Sequence, residues 1–234
     1  MIKKIILAVV AVGFMVACSS KKEGSMVVEG TIQNFKKGTL YLQKYQDTLL
    51  VSVDSISLNG ENNFRLVDNI ESPEMYYLTL NQMESEKIDF FGEKGIITIN
   101  TKLDKFATTA EVSGSKTHDI LLEYRDMISQ FNGKRLEIVK ENFEAQKNND
   151  SDRMIELDEE LNRLIKNRFR YTSSFAIRNK NSEVAPYLAL SELYDAHITL
   201  LDTVNNSLST SIQKSKYGLA LDKYIKDIKT AESN

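Results

Sequence analysis

Residues 112–131, with the sequence VSGSKTHDILLEYRDMISQF, mark the point at which the chain changes from β to α periodicity. Before this stretch, apolar residues occur in short runs or at every second position, which is typical of strands. From Ile120 onward they recur at intervals of three and four, the periodicity of one helix face. Ser115 is a predicted helix N-cap at the change. The stretch therefore predicts an α+β fold with a β region before a helical region.

The region before this change, residues 26–113, has the pattern of an antiparallel β-sandwich domain. About seven or eight short segments rich in β-branched and aromatic residues alternate with turn signals, roughly every 8–12 residues. Asn59-Gly60 is a hairpin turn dipeptide, and Gly92 and Gly95 flank a second predicted turn. This spacing favours an antiparallel sandwich or barrel.

The region after the change, residues 114–234, is predicted to be a helical domain with a long antiparallel helix hairpin. Two amphipathic stretches are separated by the polar loop Asn148-Asn149-Asp150-Ser151, in which Asp150 or Ser151 is the expected cap. Shorter helices are expected after Pro186, because proline is tolerated at a helix start.

The apolar face of the first long helix is predicted to continue beyond its middle. Leu136, Val139 and Phe143 follow at helical spacing and extend that face. Gly133 lies inside the pattern, where it predicts a kink or break.

The first eighteen residues, MIKKIILAVVAVGFMVAC, have the layout of an exported and processed segment. The apolar run is too short to span a bilayer comfortably, since a membrane helix needs about 20 apolar residues. The residues before Cys18 resemble the bacterial lipobox, in which a small residue precedes a cysteine that is acylated and becomes the new N-terminus. We therefore expect a lipoprotein signal peptide over residues 1–17, lipidation at Cys18, and a flexible tether over residues 18–25.

This segment has two alternative interpretations, an ordinary signal peptide with an incidental cysteine and an N-terminal membrane helix. If Cys18 is lipidated, we expect a protein of the bacterial cell envelope, anchored in the outer membrane and facing the periplasm. Cys18 is the only cysteine, which excludes an internal disulfide. The formal net charge of −3 gives no reason to expect nucleic acid as a partner.

Short motifs along the chain form a series. They are Val28-Glu29-Gly30-Thr31-Ile32, Gly38-Thr39-Leu40-Tyr41-Leu42, Val53-Asp54-Ser55 with Asn59-Gly60 and Phe64, Pro73 with Tyr76-Tyr77, Phe90-Phe91 with Gly95-Ile96-Ile97-Thr98-Ile99, and Val112-Ser113-Gly114-Ser115. This series resembles a domain of unknown function that precedes thioredoxin-like domains in lipoprotein thiol–disulfide oxidoreductases of Bacteroidetes. The chemistry of those relatives needs an attacking thiolate and a second, resolving thiol. With one cysteine, this chain is expected to lack that activity.

No group of residues predicts catalysis, a cofactor or a metal. His118 and His197 are the only histidines, and we expect surface or capping roles for both. The adjacent pairs Tyr76-Tyr77 and Phe90-Phe91 would each turn one ring outward on an alternating strand. One interpretation is a core ring beside an edge ring. The other is an exposed aromatic surface for a partner or an apolar ligand.

The leading hypothesis is a non-enzymatic cell-envelope lipoprotein that acts as a binding or adaptor module. It would present its β face or its helix hairpin to another envelope protein. One alternative is a small-ligand or peptide-binding lipoprotein with a pocket between the two regions, where pockets commonly occur. Another is an accessory to a separate thioredoxin-like oxidoreductase.

Overall fold

The computed structural model describes residues 24–81 and 86–232. The predicted signal peptide, the predicted lipidation site Cys18 and most of the predicted tether lie outside the described residues. Within them, a β region is followed by a helical region, so the predicted α+β class is confirmed.

The β region consists of two four-stranded sheets in the described part of the chain. Their strand orders are β4-β1-β7-β8 and β3-β2-β5-β6. The strands are β1 (Met26–Gln33), β2 (Lys37–Gln46), β3 (Leu49–Asn59), β4 (Asn63–Asp68), β5 (Glu74–Leu80), β6 (Lys87–Gly92), β7 (Gly95–Lys102) and β8 (Glu111–Ser113).

One pair departs from the predicted antiparallel arrangement. β1 and β7 run parallel, with Met26 opposite Gly95 and Gln33 opposite Lys102, whereas the other pairs between these strands are antiparallel. A parallel pair needs a long crossover between its strands. Strands β2 to β6 provide that crossover, and most of them form the second sheet.

Inward-facing residues of both sheets form the core of the sandwich. Alternate residues on each strand point to it, as expected for two sheets packed face to face. Its fully buried members include Val28, Ile32, Ile97 and Ile99 from one sheet, and Leu40, Leu42, Tyr76, Leu78 and Phe90 from the other.

The helical region begins with the predicted hairpin and continues with shorter helices. Ser115 caps the first helix, because its hydroxyl accepts a hydrogen bond from the His118 N–H over 3.0 Å. Asp150 caps the second, accepting from the Arg153 N–H over 3.0 Å. Both predicted caps are confirmed. The helices are α1 (Lys116–Lys147), α2 (Ser151–Arg178), α3 (Val184–Glu192), α4 (Ile198–Ser207), α5 (Thr210–Gln213) and α6 (Lys216–Glu232).

The predicted break at Gly133 is wrong, since α1 continues through this residue for its full 32 residues. A methyl group added at Gly133 would meet nothing within 4 Å, so the glycine serves no close contact. Glycine inside a helix costs only about 1 kcal/mol relative to alanine. The surrounding turns of α1 are enough to offset that cost.

A second apolar cluster joins the β region to the helices. Met75 and Phe91 project from the outer face of β5 and β6, and they pack with Leu121, Tyr124 and Phe175. These two strands are therefore covered on both faces, by the other sheet and by the helices. In the described ranges, no helix is long and apolar enough to cross a membrane.

Candidate functional site

The four aromatic residues predicted as a partner surface lie on β5 and β6, and three of them are fully buried. Tyr76 and Phe90 stack in the sandwich core with ring centroids 6.0 Å apart. Phe91 points to the other face, where its ring lies 5.2 Å from that of Tyr187 and 6.1 Å from that of Tyr217. The prediction of an exposed surface is wrong for these three residues, because the other sheet covers Tyr76 and Phe90 and the helices cover Phe91.

The fourth residue, Tyr77, is half-buried at the margin of the same face. Its ring makes an edge contact with Tyr45 at 5.5 Å, and the Lys87 Nζ lies 4.7 Å from its centre. Burial raises the pKa of Tyr77 to about 12, so its hydroxyl is neutral at physiological pH. One half-buried ring is too small a surface to carry a binding role by itself.

The two histidines occupy different environments. His118 is 3% exposed, and its Nδ1 accepts a hydrogen bond from the Phe91 N–H over 3.4 Å. The expected surface or capping role is wrong for His118, because the start of α1 packs against β6. Burial lowers the pKa of His118, and the nearby Arg125 lowers it further. His197 caps α4, accepting from the Thr199 N–H over 3.3 Å, as expected.

A cluster of charged side chains connects the sandwich to α6. The Lys44 Nζ lies 2.9 Å from both Asp68 Oδ2 and Glu74 Oε1. The Tyr76 hydroxyl donates to Asp68 Oδ2 over 2.6 Å. Lys216 on α6 pairs with the other oxygen of Glu74. We call these five residues the junction cluster.

The charges of the junction cluster compensate one another. Burial opposes the charge on Lys44, but its bonds to Asp68 and Glu74 outweigh burial and raise the pKa of Lys44. Burial likewise opposes the charge on Asp68, yet hydrogen bonds from Tyr76 and Lys44 lower the pKa of Asp68. The adjoining hollow of about 270 Å³ is polar and open. This arrangement suits a structural connection better than a ligand site.

The end of the α1–α2 hairpin that extends away from the β region and the shorter helices carries a groove on one face. Two hollows, of about 320 and 280 Å³, follow each other along this face and share Leu161. We call them together the hairpin groove. The outer hollow is lined by Ile138, Val139, Asn142, Phe143, Gln146, Asp158 and Leu161, and the inner one by Phe131, Asn132, Arg135, Leu161, Leu164, Ile165, Arg168, Phe169, Tyr194 and Asp195.

The α1 edge of this groove is an exposed apolar stripe. Leu136 is 70% exposed, Val139 50% and Phe143 67%. Val139 follows Ile128 by about three helical turns and lies on nearly the same side of α1. Ile128 is buried against the body of the protein. The apolar face therefore continues at the predicted period, but beyond Phe131 the body no longer covers it.

The opposite face of the hairpin is charged. It presents Lys140, Glu141, Glu144 and Arg153 around a separate hollow. Arg153 pairs with Glu141 over 2.5 Å and with Glu156 over 2.9 Å. The hairpin thus has one face with the groove and its exposed apolar stripe, and an opposite face with charged residues and ion pairs.

The sequence pattern does not predict this groove, because the stripe has the same period as the packed face of α1 and cannot be told from its continuation. The length of the predicted hairpin is the feature of the sequence that could have revealed the groove, since a long hairpin can extend beyond the elements that cover its base. Among residues 24–81 and 86–232, α2 is the one element beside the distal half of α1. The core between the two helices is thin, with Ile138, Ala145 and Leu157 as its buried residues.

The fold defines a two-part α+β protein with an antiparallel-rich β-sandwich and a helical region whose hairpin carries the groove. Residues 26–121 match the family model described as Domain of unknown function (DUF4369). This match confirms the predicted resemblance to a domain of unknown function and extends from β1 into the first turns of α1. Comparison with curated proteins and with solved structures found no match. Among the described residues, no group of three or more histidine, cysteine, aspartate or glutamate residues could hold a metal ion.

Proposed function

We propose that this protein is a lipid-anchored, non-enzymatic binding or adaptor module of the bacterial cell envelope. We further propose that its hairpin groove docks an amphipathic helix of a partner protein. The observation that carries this proposal is the exposed stripe of Leu136, Val139 and Phe143 beside an apolar groove. Exposed apolar surface of this kind marks interaction sites in folded proteins.

The shape of the groove suits a helix. Leu136, Val139 and Phe143 have the i, i+3, i+7 spacing of helical contact residues. The groove follows two neighbouring helices, and side-chain ridges of a third helix pack into such grooves. An amphipathic helix would cover the stripe and fill the outer hollow with its own apolar residues.

The lipid anchor is supported by the similarity of the residues before Cys18 to a lipobox. We propose that this anchor holds the protein at the outer membrane, facing the periplasm. The alternative of a ligand pocket between the two regions has less support, because the hollow at the junction cluster is polar and open. An accessory role in thiol–disulfide exchange rests on the family resemblance alone.

Site-specific photo-crosslinking in the native envelope tests the docking role. A photoreactive phenylalanine analogue is placed at Val139, in the groove, or at Lys140, on the opposite face of the full chain. We expect a discrete adduct from position 139 and none from position 140. No adduct from position 139, or the same adducts from both positions, would contradict the docking role.

A second variant checks that the stripe is responsible. Leu136→Ser together with Phe143→Ser should strongly reduce the adduct from position 139. Leu219→Ser is the matched control, since Leu219 is 59% exposed on α6, outside the groove. An undiminished adduct in the double variant would show that the stripe does not bind the partner.

A further inference from the structure

We infer that the partner of the hairpin groove is the hairpin of a second copy of this chain, docked about a two-fold axis that runs along the hairpins. This inference rests on the proposed docking role of the groove and names its partner. The α1 and α2 helices of both copies would form a four-helix bundle in which each α1 packs on the partner's α2. A two-fold contact of this type uses the same surface on both copies.

Ion pairs between α1 and α2 show which residues of the two helices lie at the same position along the hairpin axis. We call this position the height of a residue. The Lys134 Nζ lies 3.4 Å from Glu160 Oε1, and Arg153 Nη2 lies 2.5 Å from Glu141 Oε2. In each pair the two residues are equally distant along the chain from residue 147. This relation gives the height of every residue on one helix relative to the other.

The same relation places Val139 level with Ile155. Ile155 is 61% exposed and lies three residues before Asp158, on the same side of α2. A two-fold axis along the groove exchanges its α1 edge with its α2 edge and leaves heights unchanged. Val139 of each copy would therefore face the partner's Ile155, and both apolar side chains would be covered.

Charge complementarity favours a second copy over an unrelated helix. Arg135 lines the groove on α1, Asp158 lines it on α2, and the two differ by about one residue in height. Neither forms an ion pair with any residue in 24–81 or 86–232. The two-fold axis brings each Arg135 opposite the partner's Asp158, which produces two equivalent opposite-charge contacts. Such contacts select one partner and one register.

The orientation also agrees with the proposed anchor. Because the axis runs along the hairpins, the two β regions lie at the same end of the bundle. Both N-terminal segments can then reach one membrane. An axis across the hairpins would place the β regions at opposite ends.

Charge reversal in the full chain tests the inference. In a homodimer of Arg135→Asp, both contacts pair aspartate with aspartate, and in a homodimer of Asp158→Arg both pair arginine with arginine. When the two variants are mixed, each contact regains opposite charges. Arg163→Asp is the control, because Arg163 is exposed on α2 and does not line the groove.

Sedimentation of the detergent-solubilised proteins measures self-association. We expect a wild-type dimer, dissociation constants raised at least about tenfold in each reversal variant, and recovery in the equimolar mixture. The control should associate like the wild type. Recovery also shows that both variants are folded. A monomeric wild type, dimers that tolerate reversal, or a mixture without recovery would each overturn the inference.

The crosslinking experiment separates this inference from the proposed function. An adduct from position 139 with about twice the mass of the chain supports both. An adduct with a different protein, together with a monomeric wild type, would retain the docking role and overturn self-association. Absence of any adduct would remove the docking role itself.

Discussion

The Tyr217 hydroxyl on α6 accepts a hydrogen bond from the backbone N–H of Met75 on β5, over 2.9 Å. Met75 lies one residue beyond the end of the β2–β5 pairing, which stops at Lys44 and Tyr76. A side chain of the helical region thus provides the hydrogen-bond acceptor that a neighbouring strand would otherwise provide. Burial raises the pKa of Tyr217, which keeps its hydroxyl neutral. This bond connects the two regions of the chain directly.

We expect Tyr217→Phe to lower the free energy of unfolding by about 1–3 kcal/mol, because a buried N–H would lose its acceptor. Urea denaturation measures the change. Tyr194→Phe is the matched control, since Tyr194 is 60% exposed, and it should change stability by less than about 0.5 kcal/mol. Equal effects of the two substitutions would contradict a structural role for the bond.

Asp68 should make the free energy of unfolding depend on pH in the acidic range. Its pKa is lowered in the folded protein, because hydrogen bonds from Tyr76 and Lys44 outweigh burial. Its contribution is therefore present above the ordinary aspartate pKa, near 4, and is lost as pH falls through the lower, folded value. Asp68→Asn should flatten the decrease of stability below about pH 4, measured by denaturation at a series of pH values.

The matched control for Asp68 is Asp227→Asn on the exposed side of α6. It should leave the acid dependence almost unchanged. If Asp68→Asn and Asp227→Asn give the same profile as the wild type, the junction cluster does not hold Asp68 in its charged form.

His118 should give a second dependence on pH, at a higher range. Burial lowers its pKa below the ordinary histidine value, so the unfolded chain binds a proton first. Stability should therefore fall as pH decreases from about 6.5 towards the folded pKa. His118→Asn offers the Phe91 N–H another acceptor and should flatten this decrease. His197→Asn, at an exposed cap, should retain it. If the stability of His118→Asn falls with decreasing pH as steeply as that of the wild type, the prediction is contradicted.

Replacement by alanine should have opposite effects on the free energy of unfolding at two glycines, Gly133 and Gly114. Gly133→Ala should raise the free energy of unfolding by roughly 0.5–1 kcal/mol, since the added methyl meets nothing in an exposed helix. Gly114→Ala should lower it by at least about 1 kcal/mol, because Gly114 has φ +90° and the new methyl would lie 2.3 Å from the Ile96 oxygen. Thermal denaturation compares them. A lower stability of Gly133→Ala than of the wild type would contradict the prediction and indicate that α1 needs this glycine.

Cys18→Ser tests the proposed anchor, which lies outside the described residues. We expect the variant to fold and to lose metabolic labelling with a fatty acid, because serine cannot replace the thiol that is acylated. Wild-type and variant proteins are compared after labelling of growing cells. Continued labelling of the variant would overturn the assignment of Cys18.

Local features of the chain could be predicted because they depend on nearby residues. The change of period around residue 115 separates strands from helices, and hydroxyl and carboxylate caps act within three residues of themselves. Ser115 and Asp150 accordingly cap α1 and α2 as predicted. Features that depend on distant residues could not be predicted from local patterns. The parallel pairing of β1 with β7 and the burial of Phe91 both require the rest of the fold.

The sequence by itself determined the order of the two regions and the apolar period of α1. It could not determine which part of that apolar face is covered. Ile128 and Val139 lie on nearly the same side of one helix, yet the first is buried and the second is half exposed. Period depends on spacing along one helix, whereas burial depends on what other elements lie beside it. Only the tertiary structure shows that the body ends near Phe131 and leaves the hairpin groove open.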